Sequence, residues 1–271
     1  RWQRYNPTLV RRRLREKDFY GMRFSFDTMF SLLVIGWLLG AVGSAHTFAE
    51  GTIPLAEMLE DAELASVCFI DADRGWAVGD RGAIWNTSDG GRTWRIQLSP
   101  TSASLTTVQF LDGEQGYAVG GWTQPYTQRS SGVVLRTRDG GLQWTMVSDL
   151  TLPALRWVKF IDKRRGWAAG ESSAMYPTGV FWTSDGGRSW LPVPRGPALS
   201  WQNGDVGPDG LPVLVAADGR VARASYQEVR LLDSPGSPPP THALQLTGTG
   251  TGCKIGESGL VRLTSDHGNT W

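Results

Sequence analysis

Thr87-Ser88-Asp89-Gly90-Gly91-Arg92-Thr93-Trp94 is the first of four short stretches that align without gaps and decide the fold. The others are Thr137-Arg138-Asp139-Gly140-Gly141-Leu142-Gln143-Trp144, Thr183-Ser184-Asp185-Gly186-Gly187-Arg188-Ser189-Trp190 and Thr264-Ser265-Asp266-His267-Gly268-Asn269-Thr270-Trp271. In each, an Asp follows the Thr by two places, a Gly comes two further on, and a Trp closes the box three beyond that. An Asp at the head of a tight turn accepts backbone N–H bonds from the residues after it. Gly supplies the positive φ that such a turn needs, and Trp packs between sheets. Asp89, Asp139, Asp185 and Asp266, with Trp94, Trp144, Trp190 and Trp271, are therefore read as structural. A carboxylate consumed by its own turn is poorly placed to move protons.

The similarity extends upstream of the first three boxes. Val67-Cys68-Phe69-Ile70-Asp71 is echoed by Val108-Gln109-Phe110-Leu111-Asp112 and Val158-Lys159-Phe160-Ile161-Asp162. Gly75-Trp76-Ala77-Val78-Gly79 is echoed by Gly116-Tyr117-Ala118-Val119-Gly120 and Gly166-Trp167-Ala168-Ala169-Gly170. A third strand leads into each box and a fourth leaves it, so one repeat reads as four antiparallel strands, a propeller blade. The box tryptophans are spaced by 50, 46 and 81 residues, and the last step is two blades long. Inside it, residues 214–222 read as the middle strands of a blade whose box has decayed, with Tyr226 at the Asp position and Leu231 at the Trp position. The expectation is an all-β propeller over 67–271 with five recognisable blades and six to eight in the full ring. The fourth strand of the fifth blade is expected beyond Trp271.

These repeats resemble the Asp-box, or bacterial neuraminidase, repeat family. The fuller unit, an apolar strand ending in Asp, then Gly-Trp/Tyr-Ala-Val/Ala-Gly, then the box, is similar to the photosystem II assembly and stability factor family. The resemblance covers residues 67–271 and implies a non-enzymatic protein that serves a photosynthetic reaction centre or photosystem. The box is specific to the repeat class and much less so to photosynthesis.

The net charge of +1 hides a polarity along the chain. Residues 1–28, with Arg11, Arg12, Arg13, Arg15 and Lys17 at their centre, carry a balance of +5, and residues 29–66 one of −5. Between the charged blocks, Met29–Phe48 has no formal charge, and as a helix it reaches about 30 Å, enough to cross a bilayer core. The organisation expected is a basic cytoplasmic tail over 1–28, a transmembrane helix over 29–49, an acidic linker over 50–66 and an exported propeller, periplasmic or lumenal. The basic residues are expected to meet lipid headgroups or a protein at the cytoplasmic face. A cleaved signal peptide is the alternative, since Gly43-Ser44-Ala45 and Thr47-Phe48-Ala49 both end in a small residue. Cys68 and Cys253 lie where a disulfide is chemically permitted. They fall at different places in their repeats, and two small buried residues is the better reading.

An enzyme of the sialidase type needs an arginine cluster, a Tyr–Glu pair and an acid/base Asp. Only Glu114, Glu171, Glu228 and Glu257 are available as glutamates within the repeats. The three His, at 46, 242 and 267, have no ligand-like spacing. No catalytic set, metal or cofactor is expected, nor a nucleic-acid partner; an envelope carbohydrate-binding or glycoside hydrolase propeller is the alternative function. Attention falls instead on the loops between second and third strands, minimal in blade one but enlarged over 120–132 and 171–178. They add Trp122, Tyr126, Arg129, Met175 and Tyr176 to the face opposite the boxes, residue types favoured in protein–protein contacts. Packing of the loops by their own aromatics is the competing reading.

Overall fold

The computed structural model describes residues 59, 61–124, 126–127, 129–147, 151–232 and 240–271. The chain divides into two units, 1–51 and 52–271, and the described residues all belong to the second. The span expected over 29–49 and the basic residues Arg11, Arg12, Arg13, Arg15 and Lys17 lie outside the described residues. No helix among the described residues is long and apolar enough to cross a membrane.

The second unit is built from five antiparallel sheets in chain order. The first contains β1 (Leu64–Phe69), β2 (Gly75–Gly79), β3 (Ile84–Thr87) and β4 (Arg95–Ile96), and the second β5 (Ser104–Phe110), β6 (Gly116–Thr123), β7 (Ser130–Thr137) and β8 (Thr145–Met146). The third contains β9 (Leu155–Phe160), β10 (Gly166–Gly170), β11 (Val180–Thr183) and β12 (Leu191–Pro192), and the fourth β13 (Trp201–Val206), β14 (Pro212–Ala216), β15 (Val221–Ala224) and β16 (Val229–Leu231). The fifth has three strands among the described residues, β17 (Thr241–Leu246), β18 (Gly252–Gly256) and β19 (Val261–Thr264). The five recognisable blades are thus all present, and the first strand starts at Leu64, three residues ahead of the boundary expected from the repeats.

Blades stack through a repeated set of aromatic and hydrogen-bonded contacts. Phe110 of blade two lies flat on Trp76 of blade one, with ring centroids 3.5 Å apart, and Phe160 of blade three lies on Tyr117 of blade two at 3.6 Å. The box tryptophans Trp144 and Trp190 close edge-on against those phenylalanines. Each burial of this kind removes a large apolar area from water, which is why the Trp-rich composition goes with this fold. Polar side chains of the innermost strands cross the same seams. The Gln109 amide accepts from Phe160 N–H at 2.6 Å and donates to Phe160 O at 3.0 Å, Lys159 pairs with Asp205 at 3.2 Å, and Asp205 accepts from Leu246 N–H at 2.9 Å.

Each box works as the sequence implies. In the first, Thr87 Oγ1 donates to Asp89 Oδ1 and accepts from Gly91 N–H, while Asp89 accepts from the Thr93 amide and, at 2.6 Å, from its hydroxyl. Gly90 stands at φ +73°; in the last box His267 occupies that place at φ +63°, a left-handed conformation that a non-glycine residue adopts at a cost.

The fourth blade corrects one expectation. Its register, Ala224 opposite Val229 and Ala222 opposite Leu231, puts Val229 at the place of the box Trp and Leu231 two residues further on. The turn is thus only residues 225–228, closed by Ser225 Oγ accepting from the Gln227 and Glu228 amides. Tyr226 does not stand in for an Asp. Its ring stacks on Trp167 and meets Trp182 edge-on, each at 4.9 Å, replacing the aromatic that Val206 does not supply at the position of Phe110. Cys68 and Cys253 are free thiols, and both are half-buried rather than buried; Cys68 Sγ accepts from Phe110 N–H at 3.4 Å. Val67 and Phe69 on the first blade, and Val261 on the fifth, are exposed although their counterparts Val108, Phe110 and Ile84 are buried.

Candidate partner-binding face

The turns joining second to third strands lie together, away from the boxes, and blade two makes the largest of them. β6 and β7 pair over eight positions, from Gly116 opposite Thr137 to Thr123 opposite Ser130, against four in the corresponding pair of blade one. The ladder continues through Gln124 N–H donating to Arg129 O at 2.8 Å, and Thr127 Oγ1 donates to the Gln124 side chain. The projecting hairpin leans on the next connection, where Gly132 N–H donates to Leu152 O and Ala154 N–H to Ser130 Oγ. Gly121 permits that approach: a Cβ there would lie 2.8 Å from the Ala154 Cβ.

The five candidate residues separate into two groups. Tyr126 is fully exposed at the hairpin tip, Trp122 is 47% exposed on its flank, Met175 is 71% exposed, and Arg129 is exposed beside the tip. Tyr176 differs. It is half-buried with its ring edge-on to Phe181 at 5.2 Å, and its backbone closes the loop through Ser173 and Gly179. Packing of its own loop is what Tyr176 does, as the competing reading proposed for such aromatics.

One clip was missed from the sequence. Glu171 accepts from Arg156 Nη2 at 3.1 Å and, at 3.5 Å, from Thr123 Oγ1, tying the blade-two hairpin to blade three. Arg156 reaches it because each innermost strand carries one extra residue near its start, Ala65, Thr106, Arg156, Gln202 or His242, as a β-bulge. A bulge has no signature in one repeat, and only the five-fold recurrence of the register slip marks it.

The box face holds its acids tightly. The Thr93 hydroxyl and amide hold Asp89 down to about 2, the Gln115 amide with Lys163 holds Asp112 at about 2, the Arg165 and Arg164 amides hold Asp162 at about 2, and the Thr270 hydroxyl holds Asp266 at about 2. Carboxylates so occupied are acceptors of fixed bonds and serve neither as acids nor as bases near neutrality. Among the described residues no group of His, Cys, Asp and Glu is placed to hold a metal ion.

Fold and face together define an Asp-box β-propeller whose elaboration lies in protruding, aromatic-tipped loops. Residues 52–154 match the family model described as photosynthesis system II assembly factor YCF48, and the resemblance read from the repeats is thereby shown. Among solved structures, YCF48 bound to a D1 peptide is similar at 22% identity and TM-score 0.58, over 75% of this chain and 65% of that one. YCF48 from Cyanidioschyzon merolae is similar at 18% identity and TM-score 0.55, over 76% and 67%. The GH74 enzyme of Niastella koreensis reaches TM-score 0.59 at 13% identity, over 77% of this chain and 37% of that one. At these identities the likeness is one of fold, and the chain spans just under two thirds of the peptide-bound YCF48. No curated protein matches it in sequence.

Proposed function

We propose that this chain is a non-enzymatic accessory subunit or assembly factor that docks by its loop face on an integral membrane complex. The client is a photosynthetic reaction centre or photosystem, and the propeller works on its periplasmic or lumenal side. The observation that carries the reading is the family match over 52–154, because that stretch contains the whole projecting β6–β7 hairpin with Trp122, Tyr126 and Arg129. Exposed Trp, Tyr and Arg are the side chains that most often anchor protein interfaces, and here the Glu171 clip holds their hairpin in place.

Mild detergent extraction followed by affinity capture of the chain tests this. The complex co-purifies with the native chain, and Trp122→Ala with Arg129→Ala weakens recovery while the thermal transition stays in place. Recovery of a free monomer from native membranes overturns the reading. The likeness to GH74 enzymes supports a carbohydrate-active alternative only at the level of fold, and specific binding on a glycan array without co-purification of a complex would favour it.

A further inference from the structure

Consecutive blades are joined by one kind of seam. Leu105, Val108 and Phe110 on the innermost strand of blade two bury against Trp76, Val78 and Ile84 of blade one, and Leu155, Val158 and Phe160 bury against Tyr117, Val119 and Val134 in the same way. Between blades four and five, Leu244 and Leu246 meet Val213, Val215 and Val221. In each of these seams a side chain of the preceding blade also caps the main chain of the next: Cys68 accepts from Phe110 N–H, Gln109 from Phe160 N–H and Asp205 from Leu246 N–H.

Both halves of such a seam stand open at the first and fifth blades. By register, Leu64, Val67 and Phe69 are the counterparts of Leu105, Val108 and Phe110, and Ile255 and Val261 those of Val78 and Ile84. Val67 is 59% exposed and Val261 65%, against 4% for Val108 and 0% for Ile84; Leu64, Phe69 and Ile255 are exposed as well. The exposed Gln245 takes the place of Gln109, whose amide holds both the N–H and the C=O of Phe160, and Phe69 takes the place of Phe160. Cys253, at the place of Trp76, is small and leaves the Phe69 ring room to enter. The two faces complement each other, yet among the described residues of one chain no seam joins them. Apolar side chains exposed together in this way gain from burial by association.

We propose that the face carrying Val261 on one copy of this chain receives the face carrying Val67 on a second copy, in a head-to-tail contact that repeats the internal seam. Phe69 of one copy enters beside Cys253 of the other, and Gln245 holds the Phe69 main chain. The occupant is a second copy because this chain supplies both complementary faces and leaves them apart within one molecule. The contact joins unlike faces, so it passes from copy to copy and does not end at a symmetric pair. It uses no loop-face residue and goes beyond the docking role.

Analytical ultracentrifugation of the full chain in mild detergent, over concentrations up to about 100 μM, tests this. The native chain is expected to associate reversibly. Val67→Asp and Val261→Asp each bury an unpaired carboxylate in the contact and should weaken association about tenfold or more, with the thermal transition in place. An equimolar mixture of the two variants should form a dimer and nothing larger, since one retains an intact Val261 face and the other an intact Val67 face. A native chain that stays monomeric overturns the proposal, as does association that survives both substitutions, or a mixture that stays monomeric. A monomer whose Val67 and Val261 faces are shielded from a hydrophobic dye overturns it too, in favour of cover by another segment or protein. Where an Asp variant shifts the thermal transition, Val67→Ser and Val261→Thr take its place. Co-purification of the membrane complex with the unassociated variants would leave the docking role standing whichever way the association falls.

Discussion

Replacing Gln97 by Val should destabilise the propeller by about 2 kcal/mol, because that side chain completes a seam the next blade leaves incomplete. Gln97 follows β4, and its amide donates to Gly140 O at 3.0 Å while its carbonyl oxygen accepts from Trp144 Nε1 at 3.1 Å. Trp144 is 6% exposed, so removal of the acceptor strands a buried indole N–H, a loss of about 1–3 kcal/mol. Gly140 O keeps a donor in Trp76 Nε1, which confines the loss to one group. The protein contains the comparison already. In blade two the same register is held by Val147, whose N–H donates to Val134 O as that of Gln97 does to Ile84 O, and the Trp190 Nε1 it should serve is buried without a partner. Val147→Gln should therefore gain up to about 1 kcal/mol. Urea unfolding of both variants decides the matter, with midpoints moving in opposite directions at unchanged slope; in a thermal scan Gln97→Val falls by about 4–8 °C. An unmoved midpoint in Gln97→Val, or equal destabilisation by both changes, refutes the reasoning.

Tyr176→Ala should lower stability by about 1–3 kcal/mol through loss of its Phe181 contact, whereas Tyr126→Ala leaves the unfolding midpoint where it was; equal effects would show that the two tyrosines do not differ as described. Acid should act late. Asp89, Asp112, Asp162 and Asp266 are held at about 2, below the ordinary aspartate range near 4, so their stabilisation is complete above about pH 4 and is lost as pH falls toward 2. Unfolding midpoints measured from pH 7 downward stay level to that point and then drop, and Asp112→Asn makes the drop shallower; a decline beginning near pH 6 contradicts the assignment. The exposed apolar surfaces that carry Val67 and Val261 should bind a hydrophobic dye, and Val261→Thr should reduce its fluorescence at unchanged stability, because Val261 touches solvent where Ile84 and its equivalents are fully buried. Fluorescence that does not change would show those faces to be covered.

The repeats made most of this protein legible before any tertiary structure. A box is a local device: the Thr, Asp and Gly of one turn bond to one another, so spacing alone places Asp89 and its equivalents, and the Trp after each turn must bury against a neighbouring sheet. The five recognisable blades followed from the same spacing, even across the fourth, since Leu214 and its neighbours keep the apolar run of a middle strand when the box is lost. Sequence also pointed to the enlarged loops, because they are insertions against a repeating background.

Tertiary structure decided what depends on contacts between blades. It put Val229 and not Leu231 at the place of the missing Trp, since register in a sheet is set by pairing partners and not by counting from a lost motif. It assigned Tyr226 to an aromatic stack with Trp167, Tyr176 to the inside of its own loop and Tyr126 to the solvent, three tyrosines that composition cannot tell apart. And it brought Arg156, Glu171 and Thr123 into one clip through a bulge that reverses which way a side chain faces, a one-residue slip that a hydrophobic pattern of period two does not encode.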